Sequence, residues 1–113
     1  MATDRGKKQM AIWERLGWTE KVLYRPAKSG LRAREITVLV ERAGSETVMS
    51  GKAPAFRVTA LNDELDGIPS NPAISDAGGD RIDVAERLGG PRVTRGLQRF
   101  TDQDVDFVTV EVL

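Results

Sequence analysis

A small antiparallel β-barrel or β-sandwich, with a short N-terminal helix and one long loop, is the fold class the sequence predicts. Three observations predict it. The apolar runs are short and rich in β-branched residues. Along most of these runs apolar and polar residues alternate with a period of two, the pleat of a strand with one face buried. Gly, Pro, Asn and Asp separate the runs, with no alternation of strands and long helices. At 113 residues the chain is large enough for one hydrophobic core and too small for two. About 40% of it is hydrophobic, yet it holds only three Phe, two Trp and one Tyr. Val, Leu, Ile and Ala must therefore fill most of the core.

Residues 1–9 read as a flexible basic arm, either a frayed terminus or a segment that orders on a partner. Residues 10–113 read as a single β domain. A short helix is expected over residues 9–17, with Met10, Ile12, Trp13 and Leu16 as its apolar stripe and Gly17 as its stop. At this length it is marginal alone and needs a surface to pack on. Trp18 then anchors the junction. Val22 to Arg25 is a first strand, ended by the turn-rich segment Pro26 to Gly30. Residues 34–41 form a second, with Ile36, Val38 and Val40 on one face. The polar connection 42–54 holds room for a short strand at 46–49. Residues 55–62 form a third strand with Phe56, Val58 and Ala60 on one side. Residues 62–79 carry Pro, Gly, Asn and Asp and form a long loop, a feature often tied to function. Residues 80–86 give a strand with Ile82 and Val84 inward, and 87–91 a turn. Residues 92–100 give another strand, with Gly96 as a bulge or point of close approach. Residues 101–104 turn the chain into a last strand, 105–113, with Val108, Val110 and Val112 sharing a face.

Composition narrows the chemistry. Lys plus Arg and Asp plus Glu number 17 each, for a formal net charge of zero. Binding nucleic acid through bulk positive charge is disfavoured, although a local basic stripe is compatible with this balance. The chain has no Cys, so disulfides and thiolate chemistry are absent, and no His, the commonest general base near neutral pH. No run approaches the roughly 20 apolar residues that span a bilayer, and no secretory signal follows the N-terminus. The expectation is a soluble intracellular protein without a membrane partner.

Four constellations could carry chemistry. Asp63, Glu64 and Asp66 before Gly67 are carboxylates on a glycine-containing loop and could hold calcium. No Glu follows at EF-hand spacing, and Pro69 interrupts the pattern; the simpler account is a turn held by the Asn62 and Asp63 side chains. Asp102, Asp104 and Asp106 would share a face on an extended backbone and could bind a hard cation, or could simply form a polar hairpin turn. Gly78-Gly79-Asp80 would cradle an anion only if it opened a helix; it precedes a strand-like run, so backbone freedom where the loop rejoins the sheet is the alternative. Arg92, Arg95 and Arg99, with Arg81 and Arg87, suit a solvated face, a protein interface or the wall of a nucleic-acid channel. Alternation sets Arg92 opposite Arg95 and Arg99. The aromatic residues are not interleaved with them, which argues against base stacking. No nucleophile elbow or phosphate-binding glycine motif is present. The expectation is no enzyme, no catalytic residue, no metal and no cofactor; a carboxylate-based hydrolase has no positive signal.

The order of features resembles the small head–tail joining (connector, neck) proteins of tailed bacteriophages and prophages. Ala11-Ile12-Trp13 leads into Val22-Leu23-Tyr24-Arg25, followed by Val38-Leu39-Val40-Glu41-Arg42. The strongest part runs from Phe56 to Val112. It contains Val58-Thr59-Ala60-Leu61-Asn62-Asp63, Gly67-Ile68, Gly78-Gly79-Asp80-Arg81-Ile82, then Arg95 and Arg99 before Asp102 and Asp104 and a Val-rich end. Residues 43–54 match no part of the pattern. The resemblance implies a small barrel-like subunit of a homo-oligomeric ring in the virion, assembled in the host cytoplasm. Such a ring would bridge the portal or adaptor complex and tail proteins, with packaged DNA in its lumen. Trp13, Leu16, Asp66, Gly67, Ile68 and Pro69 are the expected partner contacts; Arg92, Arg95 and Arg99 are the channel or interface candidates. A capsid decoration or tail protein, and a nucleic-acid-binding β-barrel, are the rival readings.

Overall fold

In a computed structural model of the chain, the described residues are 2–27, 32–42, 56–69, 72, 79–85 and 91–112. Helix α1 (Asp4–Arg15) precedes six strands: β1 (Thr19–Arg25), β2 (Arg34–Arg42), β3 (Phe56–Leu61), β4 (Arg81–Ala85), β5 (Arg92–Gln103) and β6 (Phe107–Val112). The strands close into an antiparallel barrel in the order β1-β2-β3-β6-β5-β4, with β4 returning to β1. Of barrel and sandwich, the barrel forms.

The period-two pattern decides what fills it. Val22 and Tyr24 of β1, Ile36 and Val38 of β2, and Phe56, Val58 and Ala60 of β3 all point inward and are buried. Ile82 and Val84 of β4, Leu97 of β5, and Val108, Val110 and Val112 of β6 complete the ring of inward side chains. Register matches this pattern: Val38 faces Ala60, Val58 faces Val110, and Tyr24 faces Ile82. A shift of one residue would turn every one of these groups to solvent, which is why the register is strongly specified. Fully burying each Val or Leu contributes about 1.5–3 kcal/mol.

Several boundaries differ from the sequence reading, β1 among them, which begins at Thr19 instead of Val22. The arm expected at 1–9 is helical from Asp4. Thr3 caps the helix, its hydroxyl accepting from Gly6 N–H at 3.4 Å, and Asp4 lies in the positive first turn. Strand β5 runs on to Gln103, so the turn expected at 101–104 sits later, at 104–106. Strand β6 accordingly starts at Phe107 instead of Val105. Gly96 is neither a bulge nor a close approach: nothing lies within 4 Å of a Cβ built on it. The irregularities fall just after it, between Leu97 and Arg99 and between Phe100 and Asp102 in the pairing with β6. The short strand expected at 46–49, the turn at 87–90 and most of the 70–78 loop lie outside the described residues.

The helix lies on the outside of the barrel. Leu61 and Phe107 pair across β3 and β6 at outward positions, and Ala2, Met10 and Trp13 pack on them as a second apolar cluster. The Trp13 and Phe107 rings meet at 5.2 Å between centroids, tilted by 39°. Of the expected stripe, Met10 and Trp13 face the barrel, while Ile12 and Leu16 face solvent. The helix ends in a Schellman arrangement. Trp18 N–H donates to Trp13 O and Gly17 N–H to Glu14 O, each at 3.0 Å, with Gly17 in the left-handed region at φ 76°.

Candidate interaction surface

Two adjoining turns at one end of the barrel are built by aspartate side chains. After β3, the Asp63 carboxylate accepts from Leu65 N–H at 2.8 Å and Asp66 N–H at 3.0 Å, the turn the sequence suggested. Those two N–H groups, that of Asp66 foremost, hold its carboxyl below the usual carboxylate range. Before β6, the Asp104 carboxylate likewise accepts from Asp106 N–H at 2.8 Å and Phe107 N–H at 2.7 Å. Asn62 joins the two turns: its Nδ2 donates to Asp104 O at 2.7 Å and its N–H to Asp106 O at 2.8 Å. These carboxylates are spent on backbone N–H groups. Among the described residues, no set of three or more His, Cys, Asp or Glu could hold a metal ion.

The braced turns carry exposed aliphatic tips. Leu65 is 76% and Val105 61% exposed. Beside them the Thr3 N–H and hydroxyl donate to Asp106 Oδ1 at 3.0 and 2.5 Å, pinning the start of α1 to the β5–β6 turn. The Thr3 hydroxyl first, then its N–H, lowers the Asp106 carboxyl below its usual range. Farther along α1, Ile12, Leu16 and Trp18 are exposed, Trp18 by 58%. A cleft of about 260 Å³ separates α1 from β2, lined by Lys7, Glu14, Glu35 and Asp66 among others.

The expected contact residues divide. Leu16 and Asp66 are exposed, Trp13 is half-buried against Phe107, and Pro69 is half-buried. Gly67 and Ile68 are not on the surface at all. Ile68 N–H donates to Leu61 O at 2.9 Å, and its side chain is fully buried in the barrel core. A Cβ on Gly67 would lie 1.8 Å from Leu61 O, so only glycine lets the loop fold back this tightly. The first half of the long loop is thus a plug for its own barrel.

The arginines also divide. Arg92 is exposed on the outward position facing Ala85, whereas Arg95 faces Ile82 and lies over the Phe56 ring at 5.0 Å. The Arg99 backbone pairs with Glu111 after a register shift, and its side chain lies outside the described residues. Arg92 and Arg95 thus take opposite faces of β5, as alternation predicts. Glu20 sits near this end, its carboxyl raised mainly by burial and lowered in part by Arg92.

A buried polar group escaped the sequence reading. The Tyr24 hydroxyl donates to Asp80 Oδ2 inside the barrel, and Ala27 N–H donates to Asp80 Oδ1 at 2.7 Å. Burial first, then the Asp80 hydrogen bond, raises the phenol well above its ordinary value. Arg34 covers the Tyr24 ring at 4.9 Å and donates through Nη2 to Gly67 O at 2.7 Å. Its cation therefore clips the plug loop to β1 and β2. A lone Tyr with Asp well downstream gives no periodic signal, so only the closed topology brings them together.

Compared with family models, characterised proteins and solved structures, the chain finds no match. No helix among the described residues is long and apolar enough to cross a membrane.

Proposed function

We propose that this chain is a structural subunit of the neck of a tailed bacteriophage or prophage particle: a head–tail connector, stopper or completion protein. It acts by oligomerising into a ring that bridges the portal complex and the tail. One observation carries the interaction half of this reading. The barrel wall is closed and its interior filled, while most of the exposed large apolar groups among the described residues stand on parts appended to it: Ile12 and Leu16 on α1, Trp18 at the junction with β1, and Leu65 and Val105 on the two turns, with Val93 of β5 on the wall itself. Exposed apolar groups on braced turns favour contact with other proteins. The neck assignment adds the resemblance in the order of sequence features from Ala11 to Val112. Trp13 supports the helix from within, leaving Leu16, Asp66 and Leu65 as the contact groups. Exposed Arg92 is the candidate for a channel wall or a neighbouring subunit.

The test is genetic and structural together. Cells making particles without this chain should accumulate DNA-filled or emptied heads apart from complete tails, and added purified chain should restore joining. A tag on the chain should appear at the head–tail junction. Normally joined particles lacking the chain would overturn the reading, and a tag on the capsid faces or along the tail would replace it with a decoration or tail protein.

A further inference from the structure

Helix α1 differs from every other element in one respect: the barrel closes without it. All six strands pair on both sides, and the apolar core of the barrel is separate from the cluster that seats the helix. The seat is nevertheless shaped for this helix and no generic one. A Cβ at Gly6 would lie 2.8 Å from Asp106, so the first turn fits only because residue 6 is glycine. Thr3 supplies two donors to Asp106, and Lys7 and Arg5 lie close enough to Asp63 and Asp106 to favour their charged forms.

Between helix and barrel runs a three-residue hinge, Leu16-Gly17-Trp18, exposed throughout. Gly17 holds the one left-handed backbone conformation among the described glycines, and nothing lies within 4 Å of a Cβ placed there. Its surroundings leave it free to turn.

We propose that α1 is an exchangeable arm: in assemblies of this chain it leaves its own barrel and seats on Leu61 and Phe107 of a second copy. The contacts in the seat are the same whether the helix comes from its own chain or a neighbour. The balance therefore rests on the hinge and on new contacts around it. That is where Ile12, Leu16 and Trp18 lie in water in the single chain. When arms cross between copies, the two hinge segments come together and these groups gain partners. Reciprocal exchange gives a closed dimer, and passing each arm to the next subunit gives a ring. The inference stands on the geometry of seat and hinge and does not need the phage reading.

The chain has no Cys, so introduced thiols are unambiguous. One variant carries Met10→Cys and another Leu61→Cys, both in the seat. They are mixed at high concentration, separated by size and joined with a short thiol-reactive cross-linker. Covalent dimers of one variant with the other are expected as the main linked product of the oligomeric fraction, and not of the monomer fraction. A second pair, Ala11→Cys and Thr37→Cys, lines the cleft and leaves the seat intact should the first pair disturb folding. Gly17→Ala strains the left-handed hinge of the closed form and should raise the exchanged share about tenfold. Oligomers that yield no covalent link between the two variants would overturn exchange while leaving ring formation untouched. A chain that stays monomeric at every concentration would overturn it as well.

Discussion

Replacing Gly67 with alanine tests whether the long loop is a structural plug. The added Cβ would sit 1.8 Å from Leu61 O, against an ordinary contact of 3.4 Å or more. Loop and strand end must separate by roughly 1.5 Å, which stretches the 2.9 Å bond from Ile68 N–H to Leu61 O beyond hydrogen-bonding range. Losing that bond costs about 1 kcal/mol. Lifting Ile68 partly out of the core forfeits a share of the about 1.5–3 kcal/mol its burial contributes. The expected loss is about 3 kcal/mol, a large part of the about 5–15 kcal/mol that holds a domain of this size. In urea unfolding, at a slope of about 1–3 kcal/mol per molar, the midpoint should fall by about 1–3 M. Gly96→Ala is the matched control. A Cβ there meets nothing within 4 Å, so this change should be neutral or stabilise by up to about 1 kcal/mol. Equal effects from the two substitutions, or a Gly67→Ala chain as stable as the parent, would refute the plug.

Tyr24 is the chain's single tyrosine, so tyrosinate absorbance reports on it alone. Its raised folded-state pKa means the native state keeps the proton, so this stabilisation is complete below the ordinary tyrosine value near 10 and is lost as pH rises above it. Tyrosinate should form only together with loss of barrel circular dichroism; ionisation in a still-folded chain would contradict the buried pair. Tyr24→Phe should cost about 1–3 kcal/mol by removing a partner of buried Asp80, measured by urea unfolding, whereas Asp83→Asn should cost less because Arg25 is half in solvent. At the acid end, the lowered carboxyls of Asp106 and Asp63 contribute stability above the ordinary carboxylate value near 4, lost as pH falls through their lowered values. Hydrogen exchange should therefore show α1 amides losing protection before the barrel strands, and Thr3→Ala should raise the pH at which this begins.

The strands were legible because one rule, alternation, acts on every residue of a half-buried sheet. Ile36, Val38, Phe56, Val58, Ile82, Val84, Val108 and Val110 all went where their parity said. Ile68 was not legible for the same reason: an isolated apolar residue in a Pro- and Gly-rich stretch has no neighbours to give it a phase. The helix start was hidden by Arg5-Gly6-Lys7-Lys8, a composition that reads as solvated arm. Thr3 and Asp4 were the available signals, and the decisive partner, Asp106, lies at the other end of the chain. The register shift between Leu97 and Arg99 is a local irregularity that no period can anticipate. Of the candidate site, the Asp63 turn followed from local chemistry, while Leu65 and Val105 matter only because Asn62 ties their turns together.

Closing the sheet constrains how this protein can associate. Every strand of the barrel pairs on both sides, which disfavours the addition of a further strand from a peptide or a second copy. The ladder between β4 and β1 is the shortest, running from Leu23–Asp83 to Arg25–Arg81, and would be the place to open. It is braced on the outside by Arg25 and Thr94 on Asp83, and on the inside by Tyr24 on Asp80. The exposed ion pair adds little in water, so the buried Tyr24–Asp80 bond is the stronger guard of the seam. With edges closed and seam guarded, association falls to side-chain surfaces. Among the described residues the most exposed apolar groups stand on α1, its hinge and the two aspartate-built turns, with Val93 of β5 less exposed than any of them, and of these only α1 can leave the barrel without opening a single ladder.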